Sequence, residues 1–169
     1  MRKPLGLILG LGLIYFAAAS TAAPFRSRSP LSNAQTGEWI ASGGFGLTFS
    51  PTLVLLSPQL EYIHDSRLSY GPMIQAGLGD ATLVTFTGSA RYQIGNHPKL
   101  HPNVEGGLGL AVGSSLFGSS VGVHILVGMG ADFVVDSSLS IGTSFRMNFA
   151  PPLDTFFLSW PIAVARLKI

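Results

Sequence analysis

The run Leu139-Ser140-Ile141-Gly142-Thr143-Ser144-Phe145-Arg146-Met147-Asn148-Phe149 decides the fold. Leu139, Ile141, Phe145, Met147 and Phe149 fall on one side of an extended chain. Ser140, Gly142, Ser144, Arg146 and Asn148 fall on the other. Alternate side chains of a strand point to opposite faces, so this segment has one apolar and one polar face. A helix of the same residues would mix the two sets.

The alternation repeats along the chain. Trp39, Ala41, Gly43, Phe45, Leu47 and Phe49 alternate with Glu38, Ser42, Gly44, Gly46 and Thr48. Val84, Phe86, Ala90, Tyr92 and Ile94 alternate with Thr85, Thr87, Ser89, Arg91 and Gln93. Residues 103–112 and 121–133 behave alike, and weaker cases lie at 53–64, 67–79 and 154–168. Turn formers separate the runs at Ser50-Pro51, His64-Asp65-Ser66, Gly79-Asp80, Gly95-Asn96-His97-Pro98, Gly113-Ser114-Ser115, Val135-Asp136-Ser137 and Ala150-Pro151-Pro152. The spacing predicts eight antiparallel strands, each near or above the ~9–11 residues that cross a bilayer when tilted. Eight such strands match an all-β, up-and-down transmembrane barrel with short loops at 50–52, 79–81, 113–119 and 150–153.

Composition favours that reading. Of 169 residues, 47% are hydrophobic and 11% charged, against about 25% charged in soluble domains. A soluble eight-stranded barrel or sandwich would point its apolar face inward. The polar face, mostly Gly, Ser and Ala, carries too few Lys and Glu to stay in water well. Two helical spans within 104–135 are disfavoured by the glycine load. The absence of cysteine removes disulfides and thiolate chemistry.

The first 22 residues read as a cleaved export signal: Met1-Arg2-Lys3, an apolar run from Leu5 to Ala19, then Ser20-Thr21-Ala22. Without Arg2 and Lys3, the 10 basic residues fall to eight, equal to the 8 acidic ones. The exported chain is near neutral, so no nucleic-acid partner is expected. Residues 23–37 read as an irregular lead-in and 38–169 as the barrel.

Two stretches carry a family resemblance. Pro102-Asn103-Val104-Glu105-Gly106-Gly107-Leu108-Gly109-Leu110 resembles the P-x-V-E-G-G-x-G strand start of small outer-membrane barrels. Ala131-Asp132-Phe133 through Asp136-Ser137-Ser138-Leu139-Ser140-Ile141-Gly142 resembles a hairpin of the same OmpA/OmpX-like, porin-like superfamily. The resemblance implies a Gram-negative outer-membrane location with the termini periplasmic. It also implies outer-membrane lipid and the barrel-assembly machinery as partners. The family usually ends on an aromatic residue, and this sequence reads Arg166-Leu167-Lys168-Ile169.

Alternation places Glu38, Glu61, Arg91, Glu105 and Asp132 inside, toward the end where the termini lie. Buried charge must be paired, so these residues are expected to form a plug centred on Arg91. His124 and Arg146 are expected in the other half, projecting into a shallow pocket between small side chains, open to an unidentified small molecule. Outward aromatics form two girdles: Trp39, Tyr62, Tyr70 and Tyr92 at the terminus end, and Phe49, Phe86, Phe149 and Phe156 at the other.

Catalytic signatures are thin: no P-loop, G-x-S-x-G or H-E-x-x-H occurs. His97 and His101 flank a proline-containing turn and lack a third ligand, so no metal or other cofactor is expected. His64-Asp65-Ser66 invites comparison with outer-membrane lipid A deacylases, but it lies in a turn and Arg67 follows it. The expectation is a monomeric, non-catalytic envelope barrel. The alternatives are a narrow channel for small solutes and a lipid-modifying enzyme.

Overall fold

The computed structural model describes residues 37–79, 82–94, 97–115, 118–151 and 155–169. The expected export signal, and the lead-in up to residue 36, lie outside the described residues. Eight strands follow one another: β1 (Trp39–Phe49), β2 (Leu53–Ile63), β3 (Leu68–Leu78), β4 (Thr82–Gln93), β5 (Leu100–Ser115), β6 (Gly118–Val134), β7 (Leu139–Ala150) and β8 (Thr155–Lys168). Each pairs with the next, and β8 closes on β1, giving one closed antiparallel barrel. Closure leaves no free sheet edge.

The apolar face points outward. Phe45, Phe86, Leu108, Val121, Val127, Met129 and Phe149 are all exposed, while Thr85, His124, Asn148 and Ser159 are completely buried. This rules out the inverted, soluble arrangement of the two faces. β5 and β6 are longer than the alternation suggested, with 16 and 17 residues. Gly113, Ser114 and Ser115 do not form a loop; they pair with Ser120, Ser119 and Gly118 and extend the hairpin.

The three turns at the terminus end share one device. Asp65 Oδ1 accepts from the backbone N–H groups of Arg67 and Leu68, at 2.7 and 2.8 Å. Asp136 Oδ1 accepts from those of Ser138 and Leu139, at 2.7 and 2.9 Å. His97 Nδ1 accepts from those of Lys99 and Leu100, at 3.3 and 3.2 Å. In each turn one side chain takes the N–H groups two and three residues on, ending at a leucine that opens the next strand. These contacts hold both aspartates below the usual carboxylate range.

One irregularity sets the phase of β8. Pro161 and Val164 face inward, whereas Ile162 and Ala163 both face outward. Both neighbours of β8 register this extra residue: Phe45 and Gly46 on β1 oppose Ala163 and Pro161, and the β7 pairing shifts between Gly142 and Arg146. A bulge of this kind reverses which residues point inward beyond it. It therefore turns Val164 and Arg166 into the interior. The Pro161 carbonyl accepts from Thr143 Oγ1 at 3.0 Å, and the Trp160 indole N–H donates to the same hydroxyl at 3.0 Å. Gly46 stands opposite, where a Cβ would overlap the Trp160 carbonyl.

Candidate functional site

The interior is built in layers. In the half nearer the termini lie six charged side chains, all buried: Arg91, Arg146, Arg166, Glu61, Glu105 and Asp132. Arg91 reaches Glu105 at 3.2 Å, Asp132 at 3.3 Å and Glu61 at 3.7 Å. Arg166 pairs with Glu61 and, at 3.3 Å, with Asp132. Arg146 pairs with Glu105 through its Nε. Ser69 Oγ donates to Glu61 at 2.6 Å and Asn103 Nδ2 to Asp132 at 3.1 Å. Three guanidinium groups thus face three carboxylates, and the cluster carries no formal net charge. Such balance, together with added hydrogen bonds, is the condition under which buried ions are tolerated.

Two expected placements change, and one cluster member was not expected. Glu38 stands apart from the cluster; it pairs with Lys168 at 2.7 Å, where both are partly exposed. Arg146 does not project into the far half of the interior. It sits in the same cross-strand row as Glu105, separated only by Gly128. A Cβ on Gly128 would lie 2.9 Å from Glu105 Oε1 and 3.0 Å from Arg146 Cγ, so glycine keeps the path between them open. Arg166 was legible only as a basic residue near the chain end, because the β8 bulge that turns it inward interrupts the alternation.

Above the ions lies an uncharged network. Asn148 Nδ2 donates to Ser159 Oγ at 2.9 Å and to the carbonyls of Arg146 and Phe157, both at 3.3 Å. That orientation leaves Asn148 Oδ1 to accept from Gln75 Nε2 at 3.2 Å and from His124 Nε2 at 3.0 Å. Ser159 Oγ donates to Gln75 Oε1 at 3.0 Å. With the proton on Nε2, His124 Nδ1 accepts from the Thr87 hydroxyl at 2.7 Å. Both ring nitrogens of His124 are therefore hydrogen-bonded.

The far end is apolar. Leu53, Leu83 and Phe157 cluster inside the barrel and are buried. Phe157 stacks on the His124 ring, with centroids 6.1 Å apart and planes 12° apart. Small residues do not leave the expected open pocket around His124, which is completely buried.

Thr87, His124 and Asn148 have the spacing of a nucleophile, a base and an orienting group. All three are buried, between Phe157 above and the ion cluster below. Among the described residues no cluster of His, Asp and Glu could hold a metal. His64 and Ser66 are exposed, and the Asp65 carboxylate between them is committed to its turn.

Outside, the terminus-end aromatics make contact. Trp39 meets Tyr62 edge-on at 5.3 Å, and Tyr62 meets Tyr70 at 5.7 Å. Tyr92 is exposed on the same side, and Phe49, Phe86, Phe149 and Phe156 are exposed toward the other end.

No protein-family model matches the chain, and no curated protein matches it. Several solved structures do. The N-terminal β-barrel domain of Pseudomonas aeruginosa OprF aligns with TM-score 0.68 at 11% identity, over 79% of this chain and 98% of that one. Neisserial surface protein A aligns with TM-score 0.62 at 17% identity, over 80% and 98%. The outer membrane enzyme PagL aligns with TM-score 0.51 at 17% identity, over 77% and 99%. Closed strand order, outward apolar face and these alignments agree: the chain has the closed, eight-stranded antiparallel barrel fold of these solved structures.

Proposed function

We propose that the protein is an integral outer-membrane barrel with a structural, non-catalytic role in the cell envelope, its interior closed to solutes. One observation carries this reading. An apolar, aromatic-flanked wall faces outward on every strand, while inside three arginines neutralise three carboxylates. Among β-sheets only a closed barrel satisfies all its backbone groups in hydrocarbon, and the wall then faces lipid. The resemblance to exported barrels supports a cleaved signal, periplasmic termini and insertion by the barrel-assembly machinery as a monomer. The burial of Thr87, His124 and Asn148 supports a role without catalysis.

The channel alternative needs a wet path, and two layers stand in its way: the ion cluster and the cap of Leu53, Leu83 and Phe157. Planar-bilayer recordings of the purified protein test this. The expected result is no discrete conductance steps. Steps of uniform size from the wild-type protein would replace the closed-barrel reading with the channel.

A further inference from the structure

The outer wall carries a dent near the terminus end. It has a volume of about 650 Å³ and is bordered by Trp39, Tyr62 and Tyr70, with Pro72, Gly88, Ala90 and Gly106 as its floor. The register explains its shape. Trp39, Tyr62, Tyr70, Ala90 and Gly106 lie in one cross-strand row, and Pro72 and Gly88 are paired one outward position further up. Three large rings therefore stand beside a strip of very small residues.

Packing does not explain the two glycines. A Cβ on Gly88 would come no closer than 3.7 Å to the Leu108 carbonyl. One on Gly106 would come no closer than 3.7 Å to that of Leu126. Both are ordinary contacts, and neither glycine needs an unusual backbone. Gly128 and Gly46 differ, since a Cβ there collides. A side chain at 88 or 106 would fit the fold and would fill the dent.

At the foot of the dent is a cation. Arg67, exposed in the turn between β2 and β3, accepts at its carbonyl from the Gln93 N–H at 2.8 Å, which sets it beside Tyr92, the next outward residue below Ala90. The His64 ring stands 6.1 Å from that of Tyr70. An apolar slot ending at a guanidinium at interfacial depth matches a fatty acyl chain joined to a phosphate.

We propose that this groove is a binding site for one anionic phospholipid of the leaflet at the terminus end, its acyl chain over Gly88, Ala90 and Gly106 and its phosphate at Arg67. The site rests on the membrane reading above. It is distinct from general lipid contact because three rings fix one side of the chain and a cation selects the headgroup.

Trp39 lines the groove and Trp160, the other tryptophan, lies outside it, which supplies the test. The full barrel is reconstituted as Trp160→Phe, reporting Trp39, and as Trp39→Phe, reporting Trp160. Vesicles mix phosphatidylcholine with phosphatidylglycerol brominated on its acyl chains, and tryptophan quenching is read against mole fraction. The expected result is Trp39 quenching by the brominated lipid about threefold above its mole fraction, a preference of about 0.6 kcal/mol. Trp160 quenching should follow mole fraction.

Gly88→Leu with Gly106→Leu should return Trp39 to mole fraction, with heat-modifiable gel mobility confirming that the variant is folded. Arg67→Gln should remove the preference for phosphatidylglycerol over phosphatidylcholine. Trp39 quenching at mole fraction in the unfilled groove overturns the site. Quenching below mole fraction overturns it in favour of a second copy of the chain covering the groove. Trp160 left unquenched at every mole fraction would instead overturn the membrane reading itself.

Discussion

The two halves of the interior solve the same packing problem differently. Near the termini, three arginines and three carboxylates fill the barrel and cancel one another in a shared network. Toward the other end, neutral hydrogen bonds and then bare apolar contacts fill it. The ionic half depends on every member, because removing one partner strands a buried charge. The neutral half loses only local contacts when one member goes. The most fragile layer of the barrel is therefore the ionic one.

The largest expected effect comes from breaking the ionic half. Arg91→Ala leaves three carboxylates facing two arginines and should destabilise the barrel by about 3–5 kcal/mol, read as a fall in the urea midpoint in vesicles. Arg91→Met combined with Glu105→Gln restores charge balance. It should cost less than the sum of the two single changes. Strict additivity would show that neutrality is not what holds this half together.

In the neutral half, Asn148→Ala unseats Gln75, Ser159 and His124 together. It should cost roughly 1–3 kcal/mol by the same urea measurement, less than Arg91→Ala. An equal or larger loss would erase the proposed difference between the halves.

The glycines sharpen the comparison further. Gly128→Ala places a methyl group between Glu105 and Arg146 and should cost roughly 1–3 kcal/mol. Gly88→Ala, on the outer wall, should change stability by less than about 0.5 kcal/mol. Similar losses at both would mean that glycine at 88 serves the strand and not the groove.

The smallest effect is at the turns. The folded pKa values of Asp65 and Asp136 lie below the ordinary 3.8, so the unfolded chain takes up these protons first as pH falls. Their contribution is fully present well above pH 3.8 and is lost as pH drops through the lowered folded values. Asp65→Asn with Asp136→Asn should lower stability slightly at neutral pH and flatten the acid limb below about pH 4, where variant and wild type converge. An acid limb identical to wild type would remove these carboxylates from the account.

Much of the fold was legible because its signal is local. Period-two alternation from Trp39 to Phe49 and from Leu139 to Phe149 marks strands and faces without knowledge of partners. The aspartates at 65 and 136 mark turns. What stayed hidden depends on register and on irregularity. Arg146 lies many residues from Glu105 in sequence, and only their shared row across Gly128 brings them together. Arg166 required the bulge at Ile162 and Ala163, which no alternation rule announces. The expected pocket failed because Leu53, Leu83 and Phe157, from the weaker strand patterns, converge inside the far end. Gly113, Ser114 and Ser115 read as a turn because small polar residues serve hairpin ends and loops alike.

The most direct test of the membrane barrel is electrophoretic mobility of the protein expressed with its own N-terminus, comparing boiled and unboiled outer-membrane fractions. The account predicts that the protein sediments with outer membranes and that the unboiled form migrates as a distinct compact band which boiling abolishes. Recovery in the soluble periplasmic fraction, with identical mobility before and after boiling, would contradict it.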